Sequence, residues 1–424
     1  MRSVRRGRTT ASVSALAVIA ASATAASVLT AAPAAAEPMS PAPVAPASEE
    51  FYQPPSPLPD GDDGDIIRHE ETTFFLDPLK LTRAPADAQR VMYLSNDTHG
   101  EPNAVTGTVL TPHKEWDGPG ERPIVGYAAG TQGMADRCAP SRAMESGTEY
   151  EGIFIKGMLA RGYAVALTDY EGLGTPGVHT YVNRKASAHA VLDMVRAAQR
   201  LPEADLPSDG PVLTAGYSQG GGASAAAAEL QPEYAPDLDL RGSFAGAPPA
   251  DLAAVAEQLD GHYAAAFLLF AVAGMHEAYP NLGIDEMLND KGREVRTKIE
   301  NSCTGDGLIG NLLRRTSELT ADGRPIGAYL DEEPFRSAVE EQRIGTVPPQ
   351  APVYVAHSRL DDIVPYEQGR DMARSWCGGG ATVQFDTVAI PTHVGGYVAA
   401  YPKAYRWLDQ RVKGEQPPTN CGEF

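Results

Sequence analysis

The chain is poor in positive charge for its length. Its 424 residues include 35 Lys and Arg against 55 Asp and Glu, which gives a formal net charge of −20 at pH 7. A nucleic-acid-binding protein needs a basic surface to neutralise phosphates, so we expect no nucleic-acid partner. The same acidic balance disfavours an anionic membrane surface and polyanionic substrates.

Cysteine is scarce, and its spacing contains no metal-binding pattern. The four cysteines are Cys138, Cys303, Cys377 and Cys421, without a CxxC pair or a Cys/His cluster. We therefore expect no metal site, and the chemistry predicted below needs no cofactor. In an exported protein an even number of cysteines favours two disulfides, for which three pairings exist. We favour Cys377–Cys421, which would close the C-terminal helix and tail, together with Cys138–Cys303.

The N-terminal apolar run is too short and too diluted for a stable membrane anchor. It extends from about Val13 to Leu29, contains Ser and Thr, and falls short of the roughly 20 strongly apolar residues that a span needs. Four arginines precede it, and three alanines ending at Ala36 follow it. This is the pattern of a secretory signal peptide over 1–36. Cleavage near Ala36 would give an extracellular protein with a formal net charge of −24, since the segment carries four arginines and no acid.

Residues 37–60 have a composition unlike that of the rest of the chain. They are rich in Pro, Ala and Ser and lack a periodic pattern, which predicts an extended lead-in outside the core. The folded domain should begin between Phe51 and Asp65. Strands are predicted at 73–76, 90–95 and 104–111, the last two forming an antiparallel hairpin around a loop dense in turn-forming residues.

Downstream, strand and helix patterns alternate. Strands predicted at 123–127, 164–168 and 212–216 are separated by helices at 153–161 and 187–200, and strands at 243–245, 352–356 and 382–388 precede a closing helix at 398–412. This alternation predicts a doubly wound, mostly parallel α/β sheet.

The strand pattern is interrupted between residues 247 and 345, where helical periodicity replaces it. This predicts a helical cap inserted into a core formed by 61–246 and 346–424. Within the cap, residues 263–275 are apolar nearly all round. Such a segment is either a buried cap helix or the lining or lid of an acyl-chain tunnel.

The sequence PVLTAGYSQGGG at 211–222 carries the strongest catalytic signal. An apolar run leads into Gly216-Tyr217-Ser218-Gln219-Gly220, and an alanine-rich segment with helical propensity follows. A strained strand-to-helix turn brings neighbouring backbone so close that only glycine fits two residues before and after the serine. The pattern predicts a nucleophile elbow with Ser218 at its corner, although a plain glycine-rich turn has the same composition.

A serine nucleophile needs a histidine base, and in α/β-hydrolases the triad follows the order Ser, acid, His. Of the histidines after the serine, His262 and His276 lie in the predicted cap, and His357 precedes every plausible acid on its own strand end. His393 follows the last predicted strand in a loop and leads into the final helix. We therefore predict that His393 is the base.

The acid should follow the strand at 352–356. Asp361 and Asp362 both stand in the loop after this strand, and spacing does not choose between them. Either could instead cap a helix that begins near Tyr366.

An oxyanion hole needs two N–H donors. Gln219, the residue after the nucleophile, supplies one. The other should come from the loop 128–133, whose glycines permit a close backbone approach but also suit a simple turn. We favour Gln132 for this role, with Thr131 as the alternative.

Several motifs occur together in a fixed order: GTQG at 130–133, DRCAPS at 136–141, TDYEG at 168–172, GYSQGG at 216–221, DDIVPY at 361–366 and the late His393. In this order and spacing they resemble the secretory lipase family, which includes the yeast lipase A type, from about Phe51 onward. The resemblance implies an α/β-hydrolase fold and hydrolysis of triacylglycerols and other carboxylic esters, with an acyl tunnel in an inserted cap. It also implies the disulfide pairing favoured above.

Carried over to this chain, the family pattern places the nucleophile on Ser218 and the base on His393, and it selects Asp361 over Asp362. One departure stands out. The yeast type has an acidic residue in the oxyanion loop, where this chain has Thr131-Gln132-Gly133. The pH behaviour and substrate range of the yeast type therefore do not transfer directly.

We thus expect a secreted, monomeric serine carboxylic-ester hydrolase of the triacylglycerol lipase type. Its substrate would be a small-molecule or lipid ester, the latter presented at a lipid–water interface. A serine peptidase or acyltransferase could use the same triad, and a non-enzymatic binding protein could keep the same fold.

Overall fold

The computed structural model describes residues 49–424, so the predicted signal peptide and the first part of the predicted lead-in lie outside the described residues. Nine strands are present: β1 (Ile66–Thr72), β2 (Ala86–Asn96), β3 (Pro102–Pro112), β4 (Ile124–Ala128), β5 (Ala164–Thr168), β6 (Val212–Tyr217), β7 (Leu240–Gly246), β8 (Val353–Ser358) and β9 (Val383–Val388). Twelve α-helices accompany them in residues 49–424: α1 (Pro140–Ser146), α2 (Gly152–Leu159), α3 (Arg184–Arg200), α4 (Gln219–Tyr234), α5 (Leu252–Leu259), α6 (Ala265–Ala278), α7 (Ile284–Met287), α8 (Asp290–Glu300), α9 (Thr304–Gly310), α10 (Phe335–Glu341), α11 (Tyr366–Gly378) and α12 (His393–Val412).

The strands form one sheet in the order β1-β2-β3-β5-β4-β6-β7-β8-β9. The pairs β1–β2, β2–β3 and β3–β5 are antiparallel. Every pair from β5 to β9 is parallel. The central strands β4, β5 and β6 are buried throughout, which explains their continuous apolar runs. The predicted mostly parallel α/β sheet is therefore confirmed.

Helices cover both faces of the sheet. The helices α3 and α4 contact each other and the central strands on one face, whereas α2 and α12 contact each other on the opposite face. The helix α11 belongs to the first face, since the Trp376 indole N–H donates to Glu229 of α4 at 2.8 Å. The carboxyl ends of the parallel strands thus remain free of covering core helices, and this is where ligands bind in open α/β sheets.

The six helices α5 to α10 lie between β7 and β8 and form what we call the helical insert. They enclose a hydrophobic cluster separate from the one around the sheet, with Leu259, Phe270 and Ile299 among its fully buried side chains. The helix α6 contacts α5, α8 and α9, so most of its circumference is packed. This accounts for its apolar composition on nearly every side.

One expectation for the N-terminal part is wrong. The predicted strand at 73–76 is not part of the sheet. In this segment Phe75 forms an isolated antiparallel bridge to Arg83. The edge strand lies earlier, at β1, whose sequence IIRHEET is mostly polar and half-exposed and therefore lacks a strong apolar signal. At the start of the range predicted for the beginning of the folded domain, Phe51 and Tyr52 are buried, and the Tyr52 hydroxyl lies 2.9 Å from Ser141 Oγ.

Within residues 49–424, every helix is too short or too polar to cross a membrane.

Candidate active site

Ser218 lies at the turn between β6 and α4, and its backbone is strained, with φ 60° and ψ −123°. The flanking glycines are required by close packing. A Cβ on Gly216 would lie 2.3 Å from the Gly220 carbonyl oxygen, and one on Gly220 would lie 2.0 Å from the Ala128 carbonyl oxygen. This is the geometry expected of a nucleophile elbow, and it raises Ser218 above the carboxyl ends of the parallel strands.

The carboxylate of Asp361 lies beside the imidazole of His393. Asp361 Oδ2 accepts a hydrogen bond from His393 Nδ1 at 2.8 Å, and Oδ1 accepts the backbone N–H groups of Ile363 at 2.9 Å and Val364 at 2.8 Å. Burial alone would raise the pKa of Asp361, but the hydrogen bonds and charges of His357 and His393 outweigh burial and hold that pKa well below its usual range. Asp361 therefore stays ionised and keeps the proton of His393 on Nδ1.

Asp362 has a different role in the structure. One of its oxygens accepts the backbone N–H of His393 at 2.8 Å, and the other accepts the Tyr263 hydroxyl at 2.8 Å. It holds the backbone of His393 and leaves the ring to Asp361. Geometry thus separates the two acids that spacing alone could not separate.

The sequence predicts that His393 lies in the loop before the last helix, but the structure has it as the first residue of α12. The Thr392 side chain caps this helix by accepting the Gly395 N–H at 3.1 Å. The His393 side chain is buried, and within residues 49–424 its Nε2 has no hydrogen-bond partner. Both His393 and Ser218 line one cavity of about 560 Å³. The free Nε2 lone pair is thus available at the cavity that contains the serine.

His357 packs against the other side of the acid. Its Nε2 lies 3.0 Å from the Val364 carbonyl oxygen and 3.5 Å from Asp361 Oδ2. Because a carbonyl oxygen only accepts, Nε2 carries a hydrogen and points towards the acid loop. Chain order predicts that His357 is not the base. In the structure its ring contacts the acid and does not line the cavity that Ser218 lines.

The predicted oxyanion loop follows β4 and faces the same cavity. Gly130 N–H donates to Glu151 Oε2 at 2.7 Å, and the Gln132 side chain donates to Glu149 Oε1 at 3.2 Å. The Gln132 carbonyl accepts the N–H of Thr304 in the helical insert at 2.9 Å. The loop is therefore held by hydrogen bonds on several sides. The backbone N–H groups of Gln132 and Gln219 make no hydrogen bond to another described residue, as a pair of oxyanion donors requires.

Both favoured disulfides are present in the structure, Cys138–Cys303 and Cys377–Cys421. The first ties the helical insert to the segment after the oxyanion loop, where Gly133 and Cys303 also form an isolated β-bridge. A Cβ on Gly133, with φ 129°, would lie 2.5 Å from Cys303 Cα. Among the described residues, no group of three or more His, Cys, Asp or Glu is placed to hold a metal ion.

Two buried acids beneath the oxyanion loop were not predicted. Burial raises the pKa of Glu149 to about 7, and burial together with the charge of Glu149 raises the pKa of Glu151 to about 8. Their sequence, Thr148-Glu149-Tyr150-Glu151, carries no signal of burial, because only the fold places it under the loop. Glu151 accepts a hydrogen bond from Gly130 of the loop, and Glu149 accepts one from Gln132.

Replacing Glu149 by glutamine is expected to flatten the pH dependence of stability. In the wild type the folded state keeps protons that the unfolded chain releases above about pH 4.5, so the free energy of unfolding falls as pH rises towards 8. Glutamine cannot ionise, and its carbonyl oxygen can accept the Gln132 side-chain N–H and the Glu151 backbone N–H that Glu149 Oε1 accepts. The substitution also removes the negative charge that raises the pKa of Glu151.

Urea unfolding at pH 5 and pH 8 measures this effect. The difference in the free energy of unfolding between pH 5 and pH 8 should be smaller in Glu149→Gln than in the wild type. It should stay as in the wild type in Glu121→Gln, which changes an exposed glutamate. An undiminished difference in Glu149→Gln would contradict the assignment.

Comparison with known proteins agrees with this fold. A family model described as secretory lipase matches residues 138–420. A probable inactive lipase of Mycobacterium tuberculosis (strain CDC 1551 / Oshkosh) is 30% identical over 392 residues, which is 87% of this chain and 83% of the relative. Lipase 4 of Candida albicans is 28% identical over 399 residues, 89% of this chain and 83% of the relative.

A secreted triacylglycerol lipase of Malassezia restricta is 26% identical over 389 residues, 87% of this chain and 80% of the relative. The X-ray structure of Candida antarctica lipase A superposes with a TM-score of 0.78 at 24% identity, covering 88% of this chain and 87% of that one. The likeness to that structure supports the fold, and the matched family model spans more than half of the chain. The chain therefore belongs to the secretory lipase family and is a lipase-type hydrolase with the α/β-hydrolase fold.

Proposed function

We propose that this protein is a serine carboxylic-ester hydrolase that acts on triacylglycerols through Ser218, His393 and Asp361. The observation that carries the proposal is the state of His393. Its Nδ1 is bound to the ionised Asp361 at 2.8 Å, and its Nε2 is unpartnered among the described residues at the cavity that Ser218 also lines. An imidazole fixed in this tautomer can accept a proton only at Nε2, as a serine nucleophile requires.

The reaction has two half-reactions. His393 Nε2 takes the Ser218 hydroxyl proton as Oγ attacks the ester carbonyl, and Asp361 stabilises the resulting imidazolium. The backbone N–H groups of Gln132 and Gln219 bind the oxyanion of the tetrahedral intermediate. The imidazolium then gives its proton to the departing alcohol, which leaves an acyl group on Oγ. Water repeats the sequence and releases the acid.

The cavity suits an apolar acyl ester. Aromatic and aliphatic side chains dominate its wall, among them Tyr150, Tyr217, Tyr263, Phe267, Leu308 and Val394. A narrower cavity of about 40 Å³ continues from Ser218 between Phe267 and Leu259 of the helical insert. We propose that the insert, over about 247–345, acts as the cap of the site and that the acyl chain lies against the apolar wall of the larger cavity, which the narrow space extends at Ser218.

The names of two relatives support a lipid ester as the substrate. Two relatives are named lipases, and one is named a probable inactive lipase. Family membership alone therefore does not decide activity. In this chain the hydrogen bond between His393 and Asp361, and the cavity that His393 shares with Ser218, support the proposal of an active enzyme.

Activity against matched substrate classes tests the proposal. We expect hydrolysis of p-nitrophenyl esters from C2 to C18 and of triolein emulsion, with no measurable cleavage of aminoacyl p-nitroanilides. The physical reason is the apolar wall, which offers an acyl chain extensive contact area. Selective cleavage of the anilides would overturn the assignment in favour of a peptidase on the same triad.

A further inference from the structure

The segment 179–181, between β5 and α3, touches both walls of the proposed oxyanion hole. His179 contacts Gln219, the residue after the nucleophile, and Tyr181 contacts Thr131, the neighbour of Gln132. Both side chains are almost completely buried, with 1% of His179 and 6% of Tyr181 exposed. Neither residue stood out in the sequence, and the proposed triad does not use them.

The bonding of His179 follows from its neighbours. Its Nδ1 lies 2.8 Å from the Glu171 carbonyl oxygen, which can only accept, so Nδ1 carries the hydrogen. Burial lowers the pKa of His179 to about 4, so the ring is neutral near pH 7 and Nε2 is an acceptor. The side-chain amide of Gln219 therefore donates its N–H to His179 Nε2, at 2.9 Å.

This hydrogen bond fixes the first residue of α4. Gln219 follows the strained Ser218, and its backbone N–H is one proposed oxyanion donor. A buried amide side chain anchored at its far end resists rotation of the peptide to which it is attached. His179 thereby limits how far this donor can move from the serine.

Tyr181 does the same for the opposite wall. Its hydroxyl lies 2.7 Å from Thr131 Oγ1, and its ring packs edge-on against His179 at 6.0 Å and against Phe270 of the helical insert at 5.7 Å between centroids. The hydroxyl pair joins the segment to the loop that carries the Gln132 N–H. Both walls are thus connected to one short, packed piece of chain.

We propose that His179 and Tyr181 are positioning residues that set the separation of the two oxyanion donors. The inference rests on the proposed function and deepens it. Oxyanion donors act only when their N–H groups lie at hydrogen-bond distance from the developing charge, and removal of one donor typically lowers kcat by about 10²- to 10³-fold. Displacement of a donor should cost part of that factor and leave ground-state binding nearly unchanged.

Three variants and one control test the proposal, with kcat normalised to the number of active sites titrated by a phosphonate. His179→Leu removes the acceptor for Gln219, and we expect kcat per site to fall about 10- to 100-fold with KM within about threefold. Tyr181→Phe keeps the ring and removes only the hydroxyl, and we expect a loss of about 3- to 30-fold. His179→Gln restores an acceptor and should recover most of the loss.

Tyr163→Phe serves as the control, since it removes a buried tyrosine hydroxyl that is bonded to Asp409, away from the cavity. It should keep kcat per site. A purely structural role for the segment would lower the titrated site number in His179→Leu and leave kcat per site unchanged, which overturns the proposal. If His179→Leu does not fold, Tyr181→Phe and His179→Gln test the proposal. A wild-type value of kcat per site in Tyr181→Phe would then overturn the positioning role.

Failure of the proposed function gives a different result. A wild-type protein that neither hydrolyses esters nor reacts with the phosphonate would overturn the ester-hydrolase proposal and this inference together. An active wild type with unchanged variants overturns only the positioning role.

Discussion

Replacing Ser218 by alanine should lower kcat for ester hydrolysis by about 10⁶-fold. Alanine keeps the Cβ and removes the hydroxyl, so the nucleophile is lost while the backbone of the elbow changes little. The backbone of residue 218 has the same strain at φ 60° with serine or alanine, so we expect the circular dichroism spectrum to match that of the wild type.

Ser224→Ala is the matched control for this variant. Ser224 is a buried serine on the same helix, and its hydroxyl donates to Thr214 at 2.9 Å. Its loss should cost about 1 kcal/mol of stability and leave kcat within about twofold. More than about 1% residual activity in Ser218→Ala would show that another group is the nucleophile.

Replacing Asp361 by asparagine should lower kcat by about 10³- to 10⁴-fold. The new side chain can still accept the N–H groups of Ile363 and Val364 through its carbonyl oxygen, which turns its NH₂ group towards His393 Nδ1. The imidazole would then carry its proton on Nε2, the position that must accept the serine proton. The variant should fold and bind substrate but turn over slowly.

Asp362→Asn separates the two neighbouring acids. Asparagine at 362 can still accept the His393 backbone N–H, so only the contact with Tyr263 changes. We expect a loss of kcat of about tenfold or less. The opposite order, with Asp362→Asn inactive and Asp361→Asn nearly normal, would show that Asp362 is the acid.

The elbow and the parallel sheet could be predicted because their signals are local. Buried central strands need continuous apolar runs, and the turn at Ser218 needs glycine at fixed positions, so both leave their mark within a few residues of sequence. The edge strand β1 leaves no such mark. One face of it meets solvent, and its polar sequence resembles that of a loop.

The remainder of the site depends on contacts between distant parts of the chain. Spacing could not choose between Asp361 and Asp362, since the choice depends on which carboxylate reaches the ring of His393 in space. Chain order argues against His357 as the base, but it does not predict that His357 packs against Asp361.

The side chains that support the two walls of the proposed oxyanion hole could also not be predicted from the sequence. Glu149 and His179 lie 17 and 40 residues from their partners Gln132 and Gln219, and polar residues at such separations carry no periodic signal. The cavity is further bounded by the helical insert, whose helices could be located in the sequence but not oriented. Side-chain contacts of this kind become visible only in the folded chain.

Reaction with a fluorophosphonate, followed by intact-mass measurement and peptide mapping, tests the central claim most directly. The reagent phosphonylates only a serine that an adjacent base activates and an oxyanion hole accommodates. The account predicts one adduct per folded molecule, located on Ser218, and none after denaturation or in Ser218→Ala. Folded protein that remains unlabelled, or that is labelled at another residue, would contradict the account.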